Sequence, residues 1–508
     1  MLGNQSLWID EVISLRIAMQ PLPYAIKFVD PTPPIYYILL TVWNTIFSGS
    51  LLAAYLFSVI CGIALVILMY FFMKRFFSER AAIIATAFTA LNPALIYYSQ
   101  EIRAYSFFFL IALISLWAYL KYKETPTAKS TTIYGLTAIL LLYTHIYGAI
   151  IVFAQIVDFL LQHKKDIFLN SKKILKQGIV LSGTLFVLYI PWLLRLQTVF
   201  AQGSGSWIPQ PDGWSLWYLL RTFVAGHIYP QAFLPLALGF LLIILIAIWI
   251  ACKGEKKASS IAEQMHQEFG NDAQRIEIKR LQSILCIGLL VIFIPFILSF
   301  VVQSFFTTRY VLVSLVFLIP AISLTLNKIS SRAWLISIVT IFCVCFVCAT
   351  IIQANVILKD NWRSASVTIK ADAQTHPVMI IPIYDSLALS YYIDNDCLAA
   401  HSGDEEVYEC LARDNIYSIN DVTQNGTPTT ELPFVVDKFT FVTDEWINTT
   451  QGKQFFKILN QTYDFQLSRA YQLHTSNTIP QNWQSYLDSD SKFPESFNEI
   501  YLFEGVHR

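Results

Sequence analysis

Charge is scarce in this chain. Asp, Glu, Lys and Arg make up only 14% of its 508 residues, where a soluble chain carries roughly a quarter. The two signs balance, 35 against 35, so no basic excess points to nucleic acid. Internal repeats and low-complexity segments are absent. No glycine-rich nucleotide loop or nucleophile elbow occurs, and no His-Cys cluster has metal-ligand spacing. The first 32 residues lack an apolar run that could serve as a signal or an anchor.

Apolar residues are abundant instead. They form 55% of the chain, 37 of them Phe, and the mean hydropathy is +0.51. They gather in blocks long enough to cross about 30 Å of hydrocarbon, which takes roughly 20 residues. Ten such blocks lie near 50–73, 81–98, 104–120, 131–144, 146–162, 177–194, 231–252, 281–303, 310–326 and 333–354. The pair 131–144 and 146–162 is short and nearly continuous.

Loop charge orients the blocks. One alternating set of loops, which includes MKRFFSER, KYKETPTAKS and residues 253–280, holds 19 Lys and Arg. The other set, with the N-terminal stretch, holds six: Arg16, Lys27, Arg103, Arg195, Arg221 and Arg309. Positive loops stay cytoplasmic, so SQEIRAY, YTHIY, residues 195–230 and FFTTRY are expected outside. Ten crossings put both termini outside. PPIYYILLTVWNTIFSG then reads as a short interfacial helix that does not cross; an eleventh span is the alternative. An outer N-terminus with no span before it predicts that the chain starts internally, behind a missing first helix.

From about residue 355 the apolar runs shrink to strand length, in PVMIIPIY, ELPFVVDKF and EIYLFEGV. Helix-like stretches, NWRSASVTIKADAQ and GKQFFKILNQTY, alternate with them. The pattern predicts an extracytoplasmic α/β domain over 355–508, after an N-terminal loop (1–49) and a helical membrane domain (50–354). Cys397 and Cys410 either pair in an oxidising compartment or stay reduced in a packed loop. The other six cysteines fall in or beside apolar spans and read as small hydrophobes.

The remaining ionisable groups worth weighing lie at one membrane face. They are Asp10 and Glu11, Glu101 and Arg103 in YYSQEIRAY, His145 in LLYTHIYG, and Arg309 in FFTTRY. Charge near the apolar slab is costly unless it is paired or lines a wet cavity. Both signs recurring at one level would suit an anionic headgroup with a hydroxyl activated beside it. Each residue also has a plainer reading. Arg309 snorkels to phosphate headgroups, His145 caps a short helix, Glu101 and Arg103 join structural ion pairs, and Asp10-Glu11 forms a solvated turn.

Taken together, SLWIDEVISLRIA, PTPPIYYILL, NPALIYYSQEIRAYSFFFLIALISLWAYL, LLYTHIYG and FFTTRYVL resemble signature stretches of the dolichyl-phosphate-mannose-protein mannosyltransferase-like superfamily. The likeness is nearest to its bacterial, polyprenyl-phosphate-sugar-dependent members of GT-C fold, and it spans roughly residues 3–350. It implies a catalytic acid in an extracytoplasmic first loop, matching Asp10 with Glu11 as neighbour, and a second acid in the next outer loop, matching Glu101. It also implies a transmembrane helix before the first loop and a periplasmic globular domain at the end. Many members carry His before the Pro-Pro pair, where this chain has Thr32 and Pro33.

The implied chemistry is inverting sugar transfer in a multi-pass protein of the plasma or inner membrane. A hexosyl or pentosyl group would leave a polyprenyl-phosphate donor for a hydroxyl of a lipid, glycan or protein acceptor. Asp10 would act as general base, Arg103 and Arg309 would bind the donor phosphate, and His145 and Tyr105 would contact substrate. Glu101 would orient the acceptor or help hold a divalent cation, although two acids without a third ligand establish no metal site. A transporter or flippase of lipid-linked glycan would instead carry mid-membrane charges and matched halves. A ligase for lipid-linked glycan and a non-catalytic scaffold are the other competing classes.

Overall fold

The computed structural model describes residues 5–27, 32–162, 172–201, 208–228, 231–261, 269–356, 359–401, 403–419, 436–444, 450–459, 461, 463–471 and 500–507. The chain divides into two units. One joins residues 1–25, 41–54 and 354–508; the other joins 26–40 and 55–353.

Four helices open the chain: α1 (Ile9–Met19), α2 (Leu22–Lys27), α3 (Ile35–Ile46) and α4 (Leu51–Phe76). The helical domain continues with α5 (Glu79–Leu91), α6 (Pro93–Tyr98), α7 (Tyr105–Glu124), α8 (Ala128–Leu142), α9 (Tyr147–Gln162) and α10 (Lys172–Ala201). Then come α11 (Gly213–Ala225), α12 (Leu234–Ile261), α13 (Phe269–Leu298), α14 (Leu315–Asn327) and α15 (Arg332–Asn355). A helical turn at Thr308–Val311 and a 3-10 turn at Leu312–Ser314 lead into α14.

Among the described residues, seven helical stretches are long and apolar enough to cross a membrane. They are Leu51–Phe76, Tyr105–Glu124, Lys176–Thr198, Leu234–Cys252, Gln274–Leu298, Thr308–Asn327 and Arg332–Asn355. Three further apolar helices are shorter: α3, α8 and α9. The protein is thus a polytopic helical membrane domain joined to a β-containing C-terminal domain.

Where ten long spans are expected, 81–98 breaks in two. Asn92 turns the chain out of helix (φ −61°, ψ 121°), and its side chain accepts from the backbone N–H of Ala94 and Leu95. Pro93 occupies the first turn of the new helix, where a missing N–H costs nothing. The products have 13 and 6 residues. Helix α3 has 12 residues, about 18 Å of rise, well short of a bilayer core.

Several polar residues inside the bundle are paired, as a low-dielectric setting favours. Asp158 of α9 accepts from Lys123 Nζ at 2.7 Å and from Tyr119 Oη at 2.6 Å, both on α7. Gln155 accepts from Tyr134 Oη and donates to Ser115 Oγ. These bonds tie α7, α8 and α9 together at fixed register.

The C-terminal domain holds a five-stranded sheet in the order β2-β1-β3-β5-β4. The strands are β1 (Val378–Ile380), β2 (Ile416–Ser418), β3 (Lys438–Thr443), β4 (Tyr463–Tyr471) and β5 (Ile500–His507). Strand β1 pairs parallel with β2 and β3, while β5 runs antiparallel between β3 and β4. Period-two alternation sorts the side chains by face. Phe439, Phe441 and Phe503 pack with Phe455 and Phe456 of α20 (Thr450–Leu459) on one face. Val378, Ile380, Val442 and Leu502 pack on the other with α16 (Trp362–Ala373), α17 (Asp385–Ile393) and α19 (Asp404–Arg413).

The α/β reading of the tail agrees with this domain, with shifted boundaries. The strand expected over ELPFVVDKF begins at Lys438, and residues 431–435 lie outside the described residues. Strands β2 and β4 were not anticipated. Cys397, in α18 (Asn395–Ala400), and Cys410, in α19, form a disulfide with Cα atoms 5.8 Å apart.

Candidate functional site

The residues singled out in the sequence fall in both units. Asp10 and Glu11 belong to the first; Glu101, Arg103, Tyr105, His145 and Arg309 belong to the second.

Asp10 and Glu11 stand in the first turn of α1, where carboxylates oppose the positive end of the helix dipole. They diverge at once. Asp10 is half-buried, and its carbonyl accepts from Ser14 Oγ at 2.9 Å. Glu11 is fully buried. Its Oε2 receives Lys359 Nζ at 2.6 Å and reaches back to the Trp8 N–H at 3.4 Å, half of a capping box. Two adjacent acids therefore sit in two settings. Asp10 is partly open, while Glu11 is locked in an ion pair with a residue 348 positions away.

Further bonds fasten the first loop to the C-terminal domain. Leu7 N donates to Tyr392 Oη at 2.6 Å, and Gln5 Nε2 donates to the Val356 carbonyl at 3.1 Å. Arg16 pairs with Asp404 and donates to the His401 carbonyl, and Gln20 Nε2 reaches the Ala399 carbonyl at 2.9 Å. Ile9 packs against the apolar cluster of α16 and α17. Lys359, Tyr392 and Asp404 were missed as partners of this loop, since nothing local marks such distant pairs.

In the second unit, the loops between α6 and α7, between α8 and α9, and before α14 bring four of the named residues together. Arg103 is buried and donates to Tyr37 Oη at 3.3 Å. Glu101, in the same loop, is buried at 1% exposure. His145 stacks on Phe108 with centroids 4.7 Å apart, meets Tyr310 edge-on at 4.9 Å, and lies 6.1 Å from Tyr105. The Arg309 guanidinium covers the Tyr310 ring at 5.7 Å. Tyr147 Oη anchors the preceding loop through the Phe305 carbonyl at 2.8 Å.

Electrostatics define what this cluster offers. Burial, then the charges of Arg103 and Arg309, push the His145 imidazole down to about 3. It is neutral at physiological pH. Its Nδ1 accepts from the Tyr147 N–H at 3.2 Å, so the ring proton sits on Nε2. Two guanidinium groups, a neutral imidazole donor and several phenols make a setting for a phosphate oxyanion.

The same cluster extends to a residue that sequence reasoning passed over. His227 Nε2 lies 3.1 Å from Tyr98 Oη and packs on Tyr97 at 4.4 Å. Tyr98 continues to Tyr105, with centroids 4.8 Å apart. The preceding Gly226 turns with φ +65°, and a Cβ there would lie 2.2 Å from Gln353 Oε1. Gln353 in turn accepts from the His227 N–H at 2.9 Å. A histidine directly after glycine in an otherwise apolar stretch was the available signal.

Among the described residues, one group of three has ligand atoms close enough for a metal ion: Asp394, Cys397 and Cys410, all within 4.8 Å. It is able to coordinate a divalent ion with both thiols free, whereas here the two sulfurs are bonded to each other. That group does not include Asp10 or Glu101.

Residues 31–193 match the family model described as dolichyl-phosphate-mannose-protein mannosyltransferase. That stretch is about a third of the chain and contains Glu101, Arg103, Tyr105 and His145. No curated protein matches the chain. Among solved structures, ArnT from Cupriavidus metallidurans bound to undecaprenyl phosphate is 12% identical over 92% of this chain and 93% of that one, with a TM-score of 0.49. An oligosaccharyltransferase from Archaeoglobus fulgidus in complex with Zn and sulfate is 13% identical over 94% and 70% of the two chains, with a TM-score of 0.46. Likeness at this level sets no residue-to-residue correspondence.

Proposed function

We propose that the chain is an inverting glycosyltransferase that moves a sugar from a polyprenyl-phosphate donor to a hydroxyl acceptor at the outer face of the membrane. The observation that carries this reading is the grouping of the buried Arg103 and His145 with the half-buried Arg309, of which Arg103 and His145 lie in the family-matched stretch. Two cations with a neutral imidazole between aromatic rings suit the phosphate of a lipid-linked sugar. They would hold it in the ground state and take up its charge as the C1–O bond breaks.

In this reading Asp10 takes the acceptor proton as the hydroxyl attacks C1. Asp10 is half-buried at the start of α1, and the ion pair to Lys359 engages Glu11. Glu11 becomes a positioning residue. Glu101 orients the acceptor, and Tyr105, packed between Tyr98 and Tyr310, contacts the donor sugar or its phosphate. The acceptor class is a lipid, glycan or protein hydroxyl. The protein is placed in the plasma or inner membrane, with residues 355–508 extracytoplasmic by the loop-charge rule.

The test is sugar transfer from a synthetic polyprenyl-phosphate sugar by the purified protein, with donor binding measured separately. Asp10→Asn should lower kcat by roughly 10²–10⁴-fold, the usual contribution of a positioned base, with little change in donor affinity. Arg309→Ala should weaken donor binding. Near-normal transfer by both variants would remove these roles.

A further inference from the structure

The second unit contains a cavity of about 490 Å³ at one end of its bundle. It is walled by the final turns of α4, α7 and α9 and by the stretch of α13 from Ile276 to Ser283. Four cations line it: Arg75, Lys123, Lys279 and Arg280. Their acidic counterparts are fewer. Glu124 takes both Arg75, at 3.2 Å, and Arg280, while Lys123 pairs with Asp158 at 2.7 Å. Two positive charges are left over.

Structural needs account for part of this charge. Arg75 and Lys123 end their helices, where cations offset the dipole, and Arg280 caps α4 by donating to the Phe76 carbonyl. Lys279 does none of these things. It is exposed, and no acid among the described residues pairs with it. Beside it Ser283 Oγ accepts from Lys123 Nζ at 2.7 Å and Gln162 Nε2 at 2.8 Å and donates to the Lys279 carbonyl at 3.0 Å, which fixes the backbone that carries Lys279. Leu120 and Ile276 add an apolar wall. Helices α4, α7 and α13 are candidate spans, so their ends fall at headgroup depth.

We propose that this cavity binds a phosphate group, and that the exposed Lys279 provides its specificity. Volume and lining fit a small polar head with a short apolar stem, and basic pockets between membrane helices are suited to anionic headgroups. The same chemistry would also accept a free phosphate. The site stands apart from the glycosyl-transfer reading, because none of its residues belongs to the Arg103, His145 and Arg309 cluster.

The purified full chain should bind dioctanoyl phosphatidic acid saturably and dioctanoyl phosphatidylcholine not at all. Lys279→Ala should weaken the former about fivefold and Lys279→Glu about 25-fold, from the worth of one basic charge at a membrane surface. Ser283→Ala should weaken it less, and Lys176→Glu, an exposed basic position outside the cavity, should not change it. Inorganic phosphate and pyrophosphate form a second arm. Saturable binding there with the same Lys279 dependence, and no gain from acyl chains, would sustain the site with free phosphate as its ligand. Failure of both arms would overturn the proposal. So would a lipid affinity that Lys279→Glu and Lys176→Glu reduce equally, since that would reflect general surface charge.

Discussion

Removal of the Lys359 ammonium is the sharpest test of how the acidic first loop is held. Lys359 and Glu11 side chains are 7% and 0% exposed, and their charged atoms are 2.6 Å apart. Lys359→Met keeps most of the stem but leaves a buried carboxylate without its counter-charge. Breaking one side of a buried pair costs about 3–5 kcal/mol. The unit to which both residues belong has about 190 residues, for which each kcal/mol moves Tm by roughly 2–4 °C. The melting of that unit in detergent should therefore fall by roughly 6–20 °C. Glu11→Gln added to Lys359→Met should recover much of the loss, because the orphaned charge is gone. Limited proteolysis should first cut near α1 in the single variant, and catalysis should fall along with that docking. A single variant that melts within 2 °C of wild type, or a double variant no better than the single, would refute the reasoning.

Three other outcomes can be checked. His145 titrates normally near 6.5 when unfolded and is held down to about 3 in the fold. The unfolded chain therefore binds the extra proton first, and stability should decline as pH falls from about 6.5 toward 3; His145→Phe should flatten that acid limb in pH-dependent melts. Reducing the Cys397–Cys410 bridge, which closes a short loop, should cost the C-terminal domain about 3 kcal/mol on the loop-entropy account, read as a Tm shift with dithiothreitol. Reporter fusions after Gly254 and after Asn361 should report opposite sides of the membrane, and the same side at both would contradict the loop-charge orientation.

Much of the helical domain was legible because its apolar blocks are long and its loops are short and polar. Hydropathy averages across breaks, however. The Asn92-Pro93 pair that divides α5 from α6 was readable as a helix stop and start, yet the apolar run masked it. Strand β4, with Tyr463 and Phe465 facing one core, follows the period-two pattern; its interleaved Asp464 and Gln466 hid it from a search for apolar blocks. Arg103, His145 and Arg309 could be grouped in advance because each lies in a segment between apolar blocks at one expected level of the bundle, whereas Tyr105 was added only from the family resemblance. Glu11 could not be separated from Asp10 by any local feature. Glu11 is fully buried against Lys359 while Asp10 is half-buried, and only the folded C-terminal domain brings Lys359 near.

The fastening of residues 5–20 onto the C-terminal domain carries an arithmetic constraint. Two segments joined by hydrogen bonds and a buried ion pair must share one side of a bilayer, so the chain between them crosses an even number of times. Seven helical stretches in that interval are long enough to cross unaided, and seven is odd. If all seven cross, an odd number of further crossings is needed, and among the described residues the shorter apolar pieces α3, α8, α9 and the broken pair α5 and α6 are available for it. Such a piece cannot span a full-thickness hydrocarbon layer as a straight rod normal to it. The lipid beside it must thin, or neighbouring helices must shield its ends. Parity thus calls either for thinned lipid beside this protein or for neighbours that shield the ends of a short crossing helix.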